Sequence, residues 1–388
     1  MIKIVIIINE LLVGGAQRVV VDLVNNIDIN KFEINLILLK SQKAFSSNLK
    51  WLDEEIDKNK INFITISDRS RFSFREFKKL HSTLKEIKPD IVHTFLPYAG
   101  IVGRVVAFLS GVKNIISTQC NVPVAYSFKV YLLDKITLLL VKLWIAPTEG
   151  IEYEYSGSIA IYNTKAYLEG RKHFTINFAI DTVKINKALE NIDRPKKRRE
   201  LNIPENVKVV AMTARLHTWK GQEDLIDAMA KLDANIHLVL IGDGVMKQSL
   251  EAQVRSLDIE GRVHFLGTRS DVFEILAISD IYVQAHRIEK DKVWVGRNSA
   301  QTEAAAIGLP SISTNVPLIE EFIQDGVNGK IVESNNPEMM AQAIKWFLDN
   351  PEETKQIAKK LQVEATKGFS IERAVSLHEQ LYADLYSK

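Results

Sequence analysis

Cysteine is nearly absent from this chain: Cys120 is the single one in 388 residues. No intramolecular disulfide can form and no Cys/His metal cluster can be built around it, which fits a reducing compartment and a cytoplasmic location. Long apolar runs are lacking as well. No window reaches the ~18 uninterrupted apolar residues of a membrane-spanning helix. Met1 to Val13 is apolar but carries Glu10, one early lysine and no small-residue cleavage site. It therefore reads as a buried strand and not as a signal peptide. Neither sign of charge dominates: 50 Lys+Arg against 48 Asp+Glu leave a formal charge of +2. A dedicated nucleic-acid binder carries a larger basic excess, so no nucleic-acid partner is expected. Repeats and low-complexity tracts are absent too.

What is present is an ordinary globular composition, 46% hydrophobic and 25% charged, on a chain long enough for two hydrophobic cores. Ile2 to Ile8 is a near-continuous β-branched run that ends at Gly14-Gly15, the pattern of a parallel strand buried on both faces. Further strands read at Phe32–Leu39, Ile61–Ile66, Ile91–Thr94 and Asn114–Thr118, with helical segments between them. The alternation restarts with a strand at Lys208–Thr213 and a helix from Gln222 to Leu232. Strands follow at His237–Ile241, Arg262–Phe265, Ile281–Gln284 and Ser311–Thr314. Each series predicts a doubly wound parallel sheet. The charged stretch from Lys184 to Glu205, with Arg194-Pro195-Lys196-Lys197-Arg198-Arg199, reads as a solvated connector at the domain junction. Ile371–Tyr386 reads as an amphipathic helix.

Open α/β sheets bind ligands beyond the C-terminal ends of their strands, so the loops after the strands carry the candidates. Ala214 to Gly221 follows the first strand of the second series and holds Arg215 and Lys220. A forked guanidinium and a compact ammonium suit a diphosphate, although the same residues would serve an ordinary surface turn. Gly242-Asp243-Gly244 is a strand-to-helix turn whose glycines permit close backbone approach. Val295-Gly296-Arg297-Asn298 leads into Ser299 to Gly308, an Ala-rich helix whose N-terminus favours an anion. Glu303, within its first turns, can accept from sugar hydroxyls or simply be a favourable N-terminal charge. Gly14-Gly15-Ala16-Gln17-Arg18 again places glycines before a helix, but it lacks the full G-x-G-x-x-G fingerprint and an acidic partner, which excludes a nicotinamide cofactor. His93 stands at a strand end in Pro89-Asp90-Ile91-Val92-His93, open to either a structural or a catalytic role.

Together, and in this order, these motifs resemble the retaining GT-B glycosyltransferases of family 4 (glycosyl transferases group 1). Gly14 to Arg18 looks like the family's GGAER-type loop and Pro89 to His93 like its PDVVH strand. Arg215 with Lys220-Gly221 looks like its phosphate-binding pair, and Phe265-Leu266-Gly267 like its base-pocket strand end. Glu303 to Pro310 looks like its EAMACGLP segment, and Asp325-Gly326-Val327-Asn328-Gly329 like its DGxxG turn. The resemblance implies an α/β fold of GT-B type, two Rossmann-like doubly wound parallel-sheet domains facing across a cleft. An acceptor domain would span 1–183, with a C-terminal helix at 370–388 packed back on it. A nucleotide-sugar domain would span 184–369.

The resemblance also implies an activity. A nucleotide diphosphate sugar, most often a UDP-sugar, is the donor, and a hexosyl-type unit passes with retention to a glycan or lipid-linked acceptor in surface polysaccharide or glycolipid synthesis. Arg215 and Lys220, with His93, are the expected catalytic residues, the two cations neutralising the departing diphosphate. Gly14, Gly15, Gly242, Gly244, Leu266, Arg297, Asn298, Ser299 and Glu303 are expected to bind the donor, Glu303 through the ribose. Arg18, Gln119 and Asn121 fall on the acceptor side. The family uses no protein nucleophile, no cofactor and no metal.

The chain departs from the family in three places, one of them Phe178-Ala179 before Asp181, where the family has Asn-Gly. Val295 stands where a glutamate eight positions before Glu303 normally contacts the donor sugar, and Ser117 to Asn121 offers no His or Arg to the donor. Val295 with Arg297 suggests an unusual donor, deoxy or acidic. Val295 also keeps open a non-catalytic GT-B subunit that binds nucleotide sugar or a partner transferase. A GT-B sugar-nucleotide epimerase fits the helix motif poorly. Arg69, Arg71, Arg75, Lys78 and Lys79 interleave with Phe72, Phe74 and Phe77, and Phe128 to Ile145 is apolar with Lys129, Lys135 and Lys142. Such segments suit either a packed helix or peripheral contact with the inner face of the cell membrane.

Overall fold

The structure is a computed structural model and describes residues 1–12, 14–41, 52–69, 73–120, 127–288, 299–317 and 319–388, Asp53 without its side chain. It divides into two compact units, Met1–Ala179 with Ile371–Lys388, and Ile180–Ser370.

The first unit is built on seven strands: β1 Ile2–Ile8, β2 Phe32–Lys40, β3 Asn62–Ser67, β4 Ile91–Phe95, β5 Asn114–Thr118, β6 Leu143–Ala146 and β7 His173–Thr175. Their order in the sheet is β3-β2-β1-β4-β5-β6-β7, and all pairs are parallel. Ile4 faces Ile34 on one side and Ile91 on the other. Ile4 to Ile8 are wholly buried because helices cover both faces, which is why the strand is apolar throughout rather than alternating. On one face, helices Pro97–Leu109 and Phe128–Leu138 are joined by a buried ion pair, Arg104 Nη2 to Asp134 Oδ1 at 2.5 Å. On the other lies the C-terminal helix Ile371–Ser387, whose buried Tyr382 meets Phe32 edge-on. Asp384 on the same helix accepts from the Tyr162 and Thr164 hydroxyls.

The second unit has six strands: β8 Lys208–Thr213, β9 Ile236–Ile241, β10 Val263–Gly267, β11 Ile281–Gln284, β12 Ser311–Thr314 and β13 Lys330–Val332. The order is β10-β9-β8-β11-β12-β13, again parallel. In each sheet the chain moves outward over three strands and then returns to the other side of the first. β1 therefore neighbours β4, and β8 neighbours β11. The loops that leave such a pair diverge to opposite faces and open a crevice at the strand ends.

Two expectations need correction. The basic stretch from Arg194 is not a solvated connector. It is the helix Arg194–Glu200, capped by the Asp193 side chain. Its Arg198 is buried and donates to the carbonyls of Glu205, Val207 and Ile278 at 2.9–3.0 Å. Lys197 bonds Asp271 at 2.6 Å, so the helix is clasped into the second unit. Phe128 to Ile145 is likewise not one segment, because its last residues belong to β6.

Candidate active site

The crevice of the second unit is shaped by backbone packing that only glycine permits. After β8 the chain runs through Arg215 into a single 3-10 turn, Thr218–Lys220, and enters the helix Gln222–Ala230 at Gly221. Gly221 has φ +72°, and a Cβ there would lie 1.8 Å from the Ala285 carbonyl oxygen just beyond β11. The loop is thereby seated directly against the end of its neighbouring strand. Gln222 fixes it from below by donating to the Arg215 carbonyl at 2.9 Å. Gly242 (φ +135°) brings the loop after β9 onto the Ala214 carbonyl, which a Cβ would meet at 2.1 Å, and Gly244 does the same at Leu216. The close approach at Gly242 and Gly244 is thus to the neighbouring backbone, whose shape these glycines set.

On this frame stand two cations. Arg215 is exposed and Lys220 half-buried, and they lie close enough for the guanidinium to repel the ammonium. Among the described residues no carboxylate is bonded to either. Arg287, nearby, has the opposite arrangement: its guanidinium forks onto Asp224 at 2.6 Å and also meets Glu223. Lys220 Nζ instead lies 2.7 Å from His286 Nε2 and 4.1 Å from the centroid of the Trp219 ring. Burial first, and Arg215 second, push the Lys220 ammonium down to about 7. Burial also holds the His286 imidazole well below its usual range, so it stays neutral. Two like charges gathered without an acid among these residues make a place for an anion.

Glu303 is half-buried on the helix Ser299–Ile307, which packs through Ala304, Ala305 and Ala306. It adds to burial in pushing the Tyr282 phenol up, and that hydroxyl reaches the Thr213 carbonyl at the end of β8. Glu303 therefore belongs to the same end of the sheet as Arg215 and Lys220. Ser299 is half-buried at the helix start, and Leu266 half-buried on β10 beside a register shift. Val295, Arg297 and Asn298 lie outside the described residues.

In the first unit, Gly14 precedes the helix Gly15–Asn26, and Arg18 forks onto Glu55 at 2.6 and 3.0 Å. Gln119 is buried after β5, its backbone N–H donating to the Ile145 carbonyl at 2.8 Å and its side-chain amide to Ser117 Oγ at 3.4 Å. Asn121 lies outside the described residues. His93 requires a correction. It occupies the middle of β4, not its end, and has no exposed surface. Its Nδ1 is 2.8 Å from the Tyr382 hydroxyl and its Nε2 2.7 Å from Thr118 Oγ1. Both nitrogens are engaged in the core, where the ring ties β4 to the C-terminal helix and to β5.

His286, Trp219 and Gln284 went unread in the sequence. The strand-end rule reaches His286, two residues past β11, once β11 is known to neighbour β8. Among the described residues no group of three or more His, Cys, Asp or Glu is placed to hold a metal.

Residues 193–363 match the family described as Glycosyl transferases group 1, and residues 13–155 match Glycosyltransferase Family 4. The chain is 25% identical, over 96% of its length and 95% of the relative's, to the UDP-Gal:alpha-D-GlcNAc-diphosphoundecaprenol alpha-1,3-galactosyltransferase of Escherichia coli. It is 24% identical, over 90% of both chains, to the N-acetylgalactosamine-N,N'-diacetylbacillosaminyl-diphospho-undecaprenol 4-alpha-N-acetylgalactosaminyltransferase of Campylobacter jejuni. Its fold matches Anabaena Alr3699/HepE in complex with UDP-glucose, with a TM-score of 0.76 at 20% identity over 99% of this chain and 100% of that one.

Proposed function

This chain belongs to the group 1 glycosyltransferases, and from that premise we propose that it transfers a hexosyl-type sugar, with retention, from a UDP-sugar to a glycan or lipid-linked acceptor. The observation that carries the reading is the pair Arg215 and Lys220 at the β8–β11 crevice, two cations that no carboxylate among the described residues neutralises. A departing diphosphate gathers negative charge as the glycosidic bond breaks, and fixed cations stabilise that state more than the ground state. Glu303, at the same strand ends, holds the ribose hydroxyls. The reading uses no metal and no cofactor. Relatives that act on diphosphoundecaprenol substrates favour a lipid-linked acceptor. Peripheral membrane contact has its own support in the exposed apolar side of helix Phe128–Leu138: Phe128, Leu132, Leu133 and Ile136, continued by Leu139 at 85% exposure, stand beside Lys129 and Lys135.

Val295 favours a donor whose sugar lacks the usual hydroxyl or carries an acid. It equally favours a second reading, a binding subunit that holds nucleotide sugar without transferring it. Thermal stabilisation by UDP, GDP, ADP and a panel of UDP-sugars, repeated with Arg215→Ala plus Lys220→Ala, tests the site. A shift with one nucleotide, lost in the double variant, is expected. Incubation of the stabilising sugar nucleotide with lipid-linked acceptors then separates the readings, since the binding subunit releases no nucleoside diphosphate. Robust transfer from plain UDP-glucose would sink the unusual donor.

A further inference from the structure

We propose that His286 is a positioning residue for the donor site: its Nε2 is the fixed acceptor that holds the Lys220 ammonium beside Arg215, ready for the diphosphate. The inference rests on the donor-site reading above.

Lys220 has a long stem with four rotatable bonds, and in water its ammonium would move away from Arg215. Three contacts prevent this. The Trp219 ring face lies under the nitrogen at 4.1 Å. Gly221 holds the backbone against Ala285, one residue before His286. The imidazole supplies the acceptor at 2.7 Å. His286 is itself immobile. Its carbonyl accepts from Thr314 Oγ1 at 2.7 Å and from Ser334 Oγ at 3.2 Å, and its ring is buried.

A neutral imidazole has one donor and one acceptor nitrogen. Facing an ammonium, Nε2 accepts, which puts the proton on Nδ1, 3.2 Å from the Gln284 side-chain amide. Such an amide answers either tautomer by turning over. A carboxylate at this position would also hold the lysine, but it would cancel the charge that a diphosphate is to meet. A histidine held neutral by burial orients the ammonium and leaves its charge available.

The arrangement has a proton consequence. The charged and titratable groups around Lys220 are Arg215 and His217 on its own loop, His286 beyond β11, and Glu223 and Asp224 on the following helix, both engaged by Arg287. Without an anion the ammonium is depressed to about 7. A bound diphosphate restores its usual basicity, so above neutrality binding takes up one proton from solvent at Lys220 Nζ. Affinity then falls by up to about tenfold per pH unit above 7.

The test is calorimetric titration with the tightest-binding of UDP, GDP and ADP, at pH 6.5 and 8.5, each in two buffers of different ionisation enthalpy. The proteins are the wild type, Arg215→Ala, Lys220→Ala, His286→Leu and His286→Gln, each checked for an intact melting transition. In the wild type, proton uptake approaches one per nucleotide at pH 8.5. His286→Leu, which keeps the packing and loses the acceptor, is expected to bind about tenfold more weakly at pH 6.5, with proton uptake changed. His286→Gln places an amide oxygen where Nε2 was and is expected to recover most of the affinity. If His286→Leu binds like the wild type with the same uptake, while Arg215→Ala and Lys220→Ala lose binding, the role of His286 is overturned and the donor site stands. If His286→Leu does not fold, His286→Gln decides, and a loss as deep as that of Lys220→Ala refutes the acceptor role. If neither Arg215→Ala nor Lys220→Ala affects binding, or no nucleotide binds, the donor-site reading itself fails and this inference goes with it.

Discussion

The Tyr382 hydroxyl lies 2.8 Å from Nδ1 of His93, joining the last helix to the fourth strand across 289 residues of sequence. Both side chains are fully buried, so the bond has no water to replace it. Tyr382→Phe strands a polar nitrogen in the core and is expected to lower stability by about 1–3 kcal/mol. Urea unfolding reads this as a lower midpoint at unchanged slope. An unchanged midpoint would mean that the hydroxyl contributes nothing.

Acid should loosen the same region. Burial holds His93 well below its usual range and His378, 6.0 Å away ring to ring, down to about 4. Both are bases depressed in the folded state, so between pH 4 and 6.5 the unfolded chain binds more protons. Stability is therefore fully present above about pH 6.5 and is lost as pH falls, with His378 accounting for roughly 3 kcal/mol by pH 4. His378→Asn should flatten the pH dependence of the urea midpoint by about one proton. An identical slope in that variant would assign the acid loss elsewhere.

Gly221→Ala should damage fold and site together. Its Cβ would enter the Ala285 carbonyl at 1.8 Å, and its φ of +72° already disfavours a side chain. We expect a loss of about 3 kcal/mol or more, with nucleotide stabilisation abolished, because the loop carrying Arg215 and Lys220 must lift off β11. Gly261→Ala, where a Cβ meets nothing within 4 Å, is the matched control and should behave as wild type. Equal effects of the two substitutions would contradict the packing described.

The apolar side of helix Phe128–Leu138 predicts sedimentation with vesicles containing phosphatidylglycerol. Binding should weaken with salt, since Lys129 and Lys135 act through screened attraction. Leu132→Asp with Ile136→Asp, both outward-facing, should abolish it without changing the melting temperature. Wild-type protein that stays in the supernatant at low salt removes the membrane contact from the proposed function.

How much of this was legible in the sequence depended on whether the signal was local. β1 and β8 read directly, because a strand covered on both faces is a largely apolar run. β6, β7 and β13, of three or four residues, are too short to show any period. Arg215 and Lys220 were conspicuous as basic residues in a strand-end loop. His286 was not, since its meaning lies in the adjacency of β8 and β11, a property of sheet order. Arg198 misled for a related reason. A run of basic residues reads as solvated, and nothing nearby shows that four peptide carbonyls and Asp280 would enclose one of them. His93 misled because its partner Tyr382 lies near the far end of the chain.

The first unit is written in two pieces, Met1–Ala179 and Ile371–Lys388, with all of Ile180–Ser370 between them. On the ribosome this inverts the usual order of completion. At about 5–20 residues per second, the 289 residues from His93 to Tyr382 take roughly 15–60 s to synthesise. Through that interval the face of β1 and β4 that receives the last helix has no cover of its own. The uninterrupted second unit, begun later, has its whole sequence in hand first. A nascent chain stalled before residue 371 should therefore display a finished second unit and an unfinished first, the period in which a chaperone has most to bind.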